Sequence, residues 1–229
     1  MGMIVPYCKA SNYSDSIRDC PAHPLGAHGR CLDFIEANTK VLDIGCGRGL
    51  LSRQLKLKGC YVVGMEISPE LAKKVSDFCD QVIVTDVESY NFHQLELFDV
   101  VVCADILEHL KYPERLLSNL RYVLKPEGYV VASIPNVAYW KIRMKLMMGD
   151  FSPDLCILQP QHIKFFTLKT IKEMFEKTGY KIVKLTISYY GMLAFSQRRL
   201  YRLLRWLGNR RKTVFGQQFI FKAIKREKV

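Results

Sequence analysis

The chain has 229 residues, 49% hydrophobic, with 24% charged side chains and a formal net charge of +12. That is enough apolar material for one substantial core, and the alternation of strand and helix signals leaves no room for a second. No charged-then-apolar leader opens the sequence and no apolar run approaches the ~18 residues of a membrane span, so a soluble, intracellular and cytoplasmic protein is expected. The eight cysteines are scattered, without a CxxC pair or a Cys/His spacing suited to zinc, and read as reduced, mostly buried thiols rather than as a disulfide or metal framework.

In chain order, strands are predicted at about 40–45, 61–66, 81–85, 98–104 and 128–134. Helices are predicted near 49–58, 69–79 and 113–124, with Pro69 and Pro113 in their first turns. A further helix at about 168–178 starts after Thr167 and stops at Gly179, followed by a strand at 180–189 and a last one at 217–224. Regular alternation of this kind predicts an α/β fold, a doubly wound and mostly parallel sheet with helices on both faces and right-handed crossovers.

The most informative segment is Asp43-Ile44-Gly45-Cys46-Gly47-Arg48-Gly49, entered from Val41-Leu42 and leaving into a helix. Three alternate glycines take away the Cβ atoms that would hold a ligand off the backbone, and they permit the positive φ of a tight strand-to-helix turn. The spacing is DxGxGxG and not the GxGxxG of a dinucleotide fingerprint. Glu66 closes the second strand, where a carboxylate can accept two hydrogen bonds from a ribose diol, and Asp86 closes the third. Asp43, Glu66 and Asp86 therefore gather at the strand ends where open α/β sheets bind ligands. So many carboxylates repel a pyrophosphate and suit a ligand that carries an ammonium and a sulfonium.

With these residues in order, the chain resembles the class I S-adenosylmethionine-dependent methyltransferases over roughly residues 22–190. Phe98-Asp99-Val100-Val101-Val102-Cys103-Ala104-Asp105-Ile106-Leu107-Glu108-His109-Leu110 is similar to that family's fourth motif, and Leu124-Lys125-Pro126-Glu127-Gly128-Tyr129 to its LKPGG turn, with Glu127 in place of the second glycine. The resemblance implies a seven-stranded sheet with a C-terminal antiparallel strand pair and S-adenosyl-L-methionine as cofactor. It puts Gly45, Cys46 and Gly47 along the methionine and ribose, Glu66 on the ribose hydroxyls with Ile67 beside it, Asp86 and Val87 next to the adenine, and Asp105 at the end of the fourth strand. Asp43 reads equally well as a brace for the loop through backbone N–H groups.

Methyl transfer to a hydroxyl needs a general base, and His is the residue suited to that at neutral pH. Of the five histidines, His109 follows the fourth strand and His162 precedes the last core helix, so these two are the catalytic candidates. His23 and His28 belong to an N-terminal segment, residues 1–30, that is expected to fold over the cofactor cleft. His109 also reads as a residue that caps or packs the loop.

Two insertions depart from the minimal domain, here taken as residues 31–229. The first, about 136–167, mixes large apolar and basic side chains in Tyr139-Trp140-Lys141-Ile142-Arg143-Met144-Lys145-Leu146-Met147-Met148, and reads as a lid or a substrate-binding element. It ends in Gln161-His162-Ile163-Lys164-Phe165-Phe166-Thr167, similar to the H-[LI]-R-F-F-T stretch of bacterial family members. The second, about 192–214, predicts a basic amphipathic helix Ser196–Leu207 with Leu200, Leu203, Leu204 and Leu207 on one side. Between Lys177 and Arg226 lie thirteen of the 34 Lys and Arg and no acid, leaving 21 basic against 22 acidic groups elsewhere. Such a helix can dock on the body of the protein, lie on an anionic membrane, or grip RNA phosphates. No NPPY-like tetrapeptide of the amino-directed nucleic-acid enzymes follows the fourth strand, where the chain reads ADIL. The function expected is methyl transfer to a hydroxyl, or else an amine, of a small-molecule, glycan or lipid-linked acceptor. RNA or protein methylation and a non-catalytic cofactor-binding adaptor are the alternatives.

Overall fold

A computed structural model describes residues 26–153, 157–188 and 210–226. His23, most of the N-terminal segment and the predicted helix Ser196–Leu207 lie outside the described residues.

Seven strands form one sheet: β1 (Lys40–Ile44), β2 (Tyr61–Glu66), β3 (Gln81–Val84), β4 (Phe98–Ala104), β5 (Leu124–Pro135), β6 (Tyr180–Ser188) and β7 (Gln218–Lys225). Their order is β3-β2-β1-β4-β5-β7-β6. The first five are parallel, and β7 inserts antiparallel to both β5 and β6. Neighbouring residues of a strand point to opposite faces, and the core divides accordingly. Leu42, Val63, Val101 and Val130 pack on α4 (Pro113–Val123) and α6 (Leu168–Lys177), while Val41, Val62, Val100 and Val131 pack on α1 (Ala27–Leu32) and α2 (Leu50–Leu57). Strands buried on both faces read as near-continuous apolar runs, which is how these appear in the sequence.

The sequence boundaries shift most at two places. The helix expected at 69–79 is α3 (Pro69–Val75), capped by the Ser68 hydroxyl, followed by a 3₁₀ turn at Ser76–Phe78. The strand expected at 128–134 begins four residues earlier, at Leu124. Its register against β4 jumps, because Phe98 faces Leu124 whereas Val100 faces Tyr129. Lys125–Gly128 form the excursion between them, and a Cβ on Gly128 would stand 3.0 Å from the backbone of both Lys125 and Phe98. Glu127 sits on this excursion, exposed to solvent.

Three of the described helices were not predicted. α1 packs on the face of β5 and β7, and α5 (Trp140–Met147) forms the body of the first insertion. α5 is anchored by a small cluster of its own, Tyr139, Ile142, Ile157 and Leu158. A short helix, α7 (Lys212–Phe215), leads into β7. Asn136 ties the start of this insertion, the expected lid, to that segment, donating from Nδ2 to the carbonyls of Thr213 (3.0 Å) and Gly216 (2.8 Å).

Candidate active site

Parallel registry brings the C-terminal ends of β1, β2, β4 and β5 to one edge, on either side of the point where the strand order reverses. The glycine loop leaves β1 there, with the N–H groups of Gly45 and Cys46 both donating to the carbonyl of Met65. Gly45, Gly47 and Gly49 all have positive φ, +70°, +54° and +76°. They do not play one role, as the sequence reading assumed. A Cβ on Gly49 would stand 2.6 Å from Val75, so this glycine lets α2 press against α3. One on Gly45 would stand 2.8 Å from Ile106. Only at Gly47 would it fit without displacing a protein atom, its nearest neighbour being the Gly45 carbonyl oxygen 3.8 Å away. The backbone is thus bare toward the cleft at Gly47.

Glu66 is buried at the end of β2. Its Oε2 accepts from the N–H of Gly47 and its Oε1 from the N–H of Ser68, both at 2.9 Å. An ionised carboxylate has about four acceptor positions, so two remain for a diol after these backbone bonds. Ile67, next in the chain, is 66% exposed. This bare glycine, a pre-oriented carboxylate and an exposed apolar side chain together fit a ribose with an adjoining base.

Asp43 is turned the other way. It is buried and takes the Ser52 hydroxyl of α2 at 2.7 Å. Burial raises its carboxyl above the ordinary range, opposed first by that hydrogen bond and then by the nearby His28. The Cys46 thiol is held up by its hydrogen bond with Cys79 and then by burial, which leaves it an inert group on the glycine loop. Asp86 is exposed and closes an Asx turn by accepting from the N–H of Glu88 at 2.9 Å, while Val87 belongs to the core.

Asp105 has a positive φ of 54°, uncommon for a residue with a Cβ. The position is held from three directions. Oδ1 accepts from Ser133 Oγ at 2.6 Å and from Gln218 Nε2 at 3.0 Å, and Oδ2 lies 3.9 Å from Nε2 of His28 on α1. Ser133, Gln218 and His28 thus converge on Asp105; no local motif in the sequence points to the first two, whereas His28 belongs to the segment expected over the cleft.

Immediately beyond, a 3₁₀ turn (Leu107–His109) presents Glu108 and His109 to the end of the lid. The Glu108 carbonyl accepts from the N–H groups of both Ile163 and Lys164 at 3.0 Å. His109 and His162 meet edge to face with ring centroids 4.7 Å apart. Their Nδ1 atoms lie 3.1 Å from the Gln161 carbonyl and 2.8 Å from the Ile157 carbonyl. A carbonyl can only accept, so each Nδ1 carries the hydrogen and in a neutral ring Nε2 is the basic nitrogen. Glu108 is 1% exposed, and its Oε1 lies 4.0 Å from Nε2 of His162. Neither carboxylate oxygen has a hydrogen-bond partner among the described residues. Burial, and after it the charge of Asp105, pushes the Glu108 carboxyl well above its ordinary 4.5. Glu108, His109 and His162 offer ligand-type atoms within 4.8 Å of one another and are the group among the described residues that could hold a metal ion. The sequence spacing, 108–109 and then 162, does not advertise it.

Residues 23–185 match the family model described as a methyltransferase domain. The chain belongs to this family. It is a class I, S-adenosylmethionine-dependent methyltransferase. It is 33% identical over 160 residues to the ubiquinone biosynthesis O-methyltransferase of Xanthomonas oryzae pv. oryzae (strain PXO99A), covering 65% of this chain and 67% of that protein. Among solved structures, a SAM-dependent methyltransferase from Archaeoglobus fulgidus superimposes with a TM-score of 0.63 at 22% identity, over 85% of this chain and 90% of that one. The magnesium protoporphyrin IX methyltransferase from Synechocystis PCC 6803, solved with bound SAH, gives 0.57 at 19% identity over 86% and 78%. Both share the fold of this methyltransferase, whose own sheet ends in an antiparallel strand pair.

Proposed function

We propose that this methyltransferase acts on a hydroxyl of a small-molecule or lipid-linked acceptor, held between the glycine loop and the lid. The observation that carries the reading is the cluster of Glu108, His109 and His162, which supplies imidazoles with a defined basic nitrogen where the lid joins the site. A hydroxyl is a poor nucleophile until its proton is removed, whereas an amine needs less help. The Xanthomonas relative is named as an O-methyltransferase of ubiquinone biosynthesis, which agrees with oxygen as the acceptor atom.

Bound S-adenosylmethionine supplies an electrophilic methyl group on a sulfonium. The residues of the chain then have to bind, align and desolvate the two partners. Gly47 and Glu66 receive the ribose and Ile67 covers the base, while Asp86 and Val87 flank it. Asp105, fixed by Ser133 and Gln218, offers negative charge toward the ammonium. His109 takes the hydroxyl proton on Nε2, its ring oriented by the Gln161 carbonyl. His162, more deeply buried, holds the end of the lid in place through the Ile157 carbonyl and stands as the second base.

Turnover of radiolabelled methyl donor against a panel of phenols, lipid-linked hydroxyls, glycans and amines tests this reading. Methylation of a hydroxyl, with kcat reduced about 10²–10⁴-fold in His109→Ala and binding of S-adenosylhomocysteine unchanged, is expected. Glu66→Ala is expected instead to weaken binding of S-adenosylhomocysteine by about tenfold or more, since a charge-assisted site is removed. Methylation confined to amines, or a His109→Ala enzyme with undiminished kcat, overturns it.

A further inference from the structure

The lid exposes a concentration of large apolar side chains. Of the fifteen strongly exposed ones among the described residues, seven lie between 144 and 165. Met147 and Met148 are 80% and 72% exposed, and Phe151, Ile163 and Phe165 are 54%, 50% and 42% exposed. They lie on α5, the turn after it and the segment before α6. The rings of Phe151 and Phe165 meet edge to face at 5.9 Å, joining the turn after α5 to the segment before α6. Lys145 fixes that turn, with Nζ donating to the Ser152 carbonyl at 2.9 Å and pairing with Asp150.

The same element is anchored from beneath by Tyr139, Ile142, Ile157 and Leu158. α5 is therefore apolar on its buried side and again on its outer side. A helix that is amphipathic only toward its own core would turn charged residues outward. Contiguous exposed apolar surface rimmed by charge marks a contact with something else.

Charge indicates what that something is. Lys141, Arg143 and Lys164 are exposed around the apolar residues, and Asp150, the one acid among the described lid residues, is paired with Lys145. Arg210 and Arg211, at the exposed end of the basic stretch, lie two or three residues from Thr213, whose carbonyl is bonded to Asn136 at the base of the lid. The acid-free stretch that carries the net charge of the chain thus rejoins the fold beside the lid.

We infer that the outer face of the lid docks on an anionic lipid bilayer, with Met147, Met148 and Phe151 entering the headgroup boundary and the basic rim meeting lipid phosphates. Interfacial elements combine these two features, and each basic residue close to an anionic surface adds on the order of 1 kcal/mol. Docking concerns the location of the enzyme and stands apart from the acceptor chemistry proposed above. It is read without turnover.

Flotation of the full chain with vesicles of phosphatidylcholine alone, or of phosphatidylcholine with about 30% phosphatidylglycerol, tests the inference. Recovery with the anionic vesicles only, declining as salt is raised from about 0.1 M to 0.5 M, is expected. Met147→Glu combined with Met148→Glu is expected to reduce recovery about tenfold, and Lys141→Glu with Lys164→Glu to do likewise. Both variants are to keep the parent melting temperature and binding of S-adenosylhomocysteine. No recovery with anionic vesicles, or equal recovery with both kinds, overturns the inference. So does parental flotation by folded variants, which would move the contact elsewhere on the chain. A dimer detected by light scattering and split by the methionine substitutions would make the face a self-interface and overturn it as well.

Discussion

Glu108 buries a carboxyl group with no hydrogen-bond partner among the described residues, which disfavours its ionised form. Its folded-state pKa is raised above the ordinary 4.5. The stability it contributes is therefore fully present below about pH 4.5 and is lost as pH rises through the folded value. Glu108→Gln keeps the shape and cannot ionise, so it is expected to melt about 3 °C or more above the parent at pH 8 and level with it near pH 4.5. Scanning calorimetry at the two pH values measures this. A variant less stable at pH 8 would mean that the charged carboxylate is held by a partner, as a bound cation would do. Sequence reasoning reached His109 and His162 by their positions but passed over Glu108, because nothing local tells that it will be sealed under Ile163 and Lys164. Ser133 and Gln218 were invisible for a related reason, since they converge on Asp105 from positions 28 and 113 residues away. The glycines at 45, 47 and 49 were plain as a motif, yet their division of labour depends on Ile106 and Val75, which only the folded chain brings near.

Among the elements, those with one apolar stripe or a buried apolar run were legible, and those without were not. α6 shows the favourable case, with Ile171, Met174 and Phe175 on its buried side, Thr167 at its start and Gly179 beyond its end. Its capping box is reciprocal: Thr167 Oγ1 accepts from the N–H of Thr170 at 3.3 Å, and Thr170 Oγ1 accepts from the N–H of Thr167 at 2.9 Å. Removing the cap with Thr167→Ala is expected to cost about 1 kcal/mol, seen as about 2–4 °C in melting temperature, while Thr167→Ser retains the parent value. An alanine variant as stable as the parent would show that packing of the buried face alone holds the helix start. α1 has six residues, too few for a periodic stripe, and Gly29 lowers its local preference further. α5 is apolar on both sides, so its period was blurred by the residues that give the lid its outer face.

At the scale of the whole molecule, the sheet order and the distribution of charge make one prediction together. The β3-β2-β1-β4-β5 half could serve any nucleotide-type ligand, whereas β7 between β5 and β6 brings Gln218 to Asp105 and so completes a carboxylate that a fully parallel dinucleotide sheet would not fix in this way. Glu66 and Asp105 place carboxylates at the strand-end edge of a chain that carries a net charge of +12. That edge favours a ligand bearing an ammonium over one bearing a pyrophosphate. A ligand that binds only the folded state stabilises it by mass action, about 2.7 kcal/mol at a hundred times Kd, which corresponds to about 5–11 °C for a chain of this size. S-adenosylhomocysteine is expected to raise the melting temperature by that amount and NAD to leave it unchanged. In Gly47→Ala the added methyl displaces no protein atom but imposes a left-handed alanine, so the apo protein is expected to melt slightly lower and the shift to vanish. A shift that persisted in Gly47→Ala would place the adenosyl group away from the glycine loop, because the methyl group meets no protein atom closer than 3.8 Å and can act only by excluding the ligand or straining the turn.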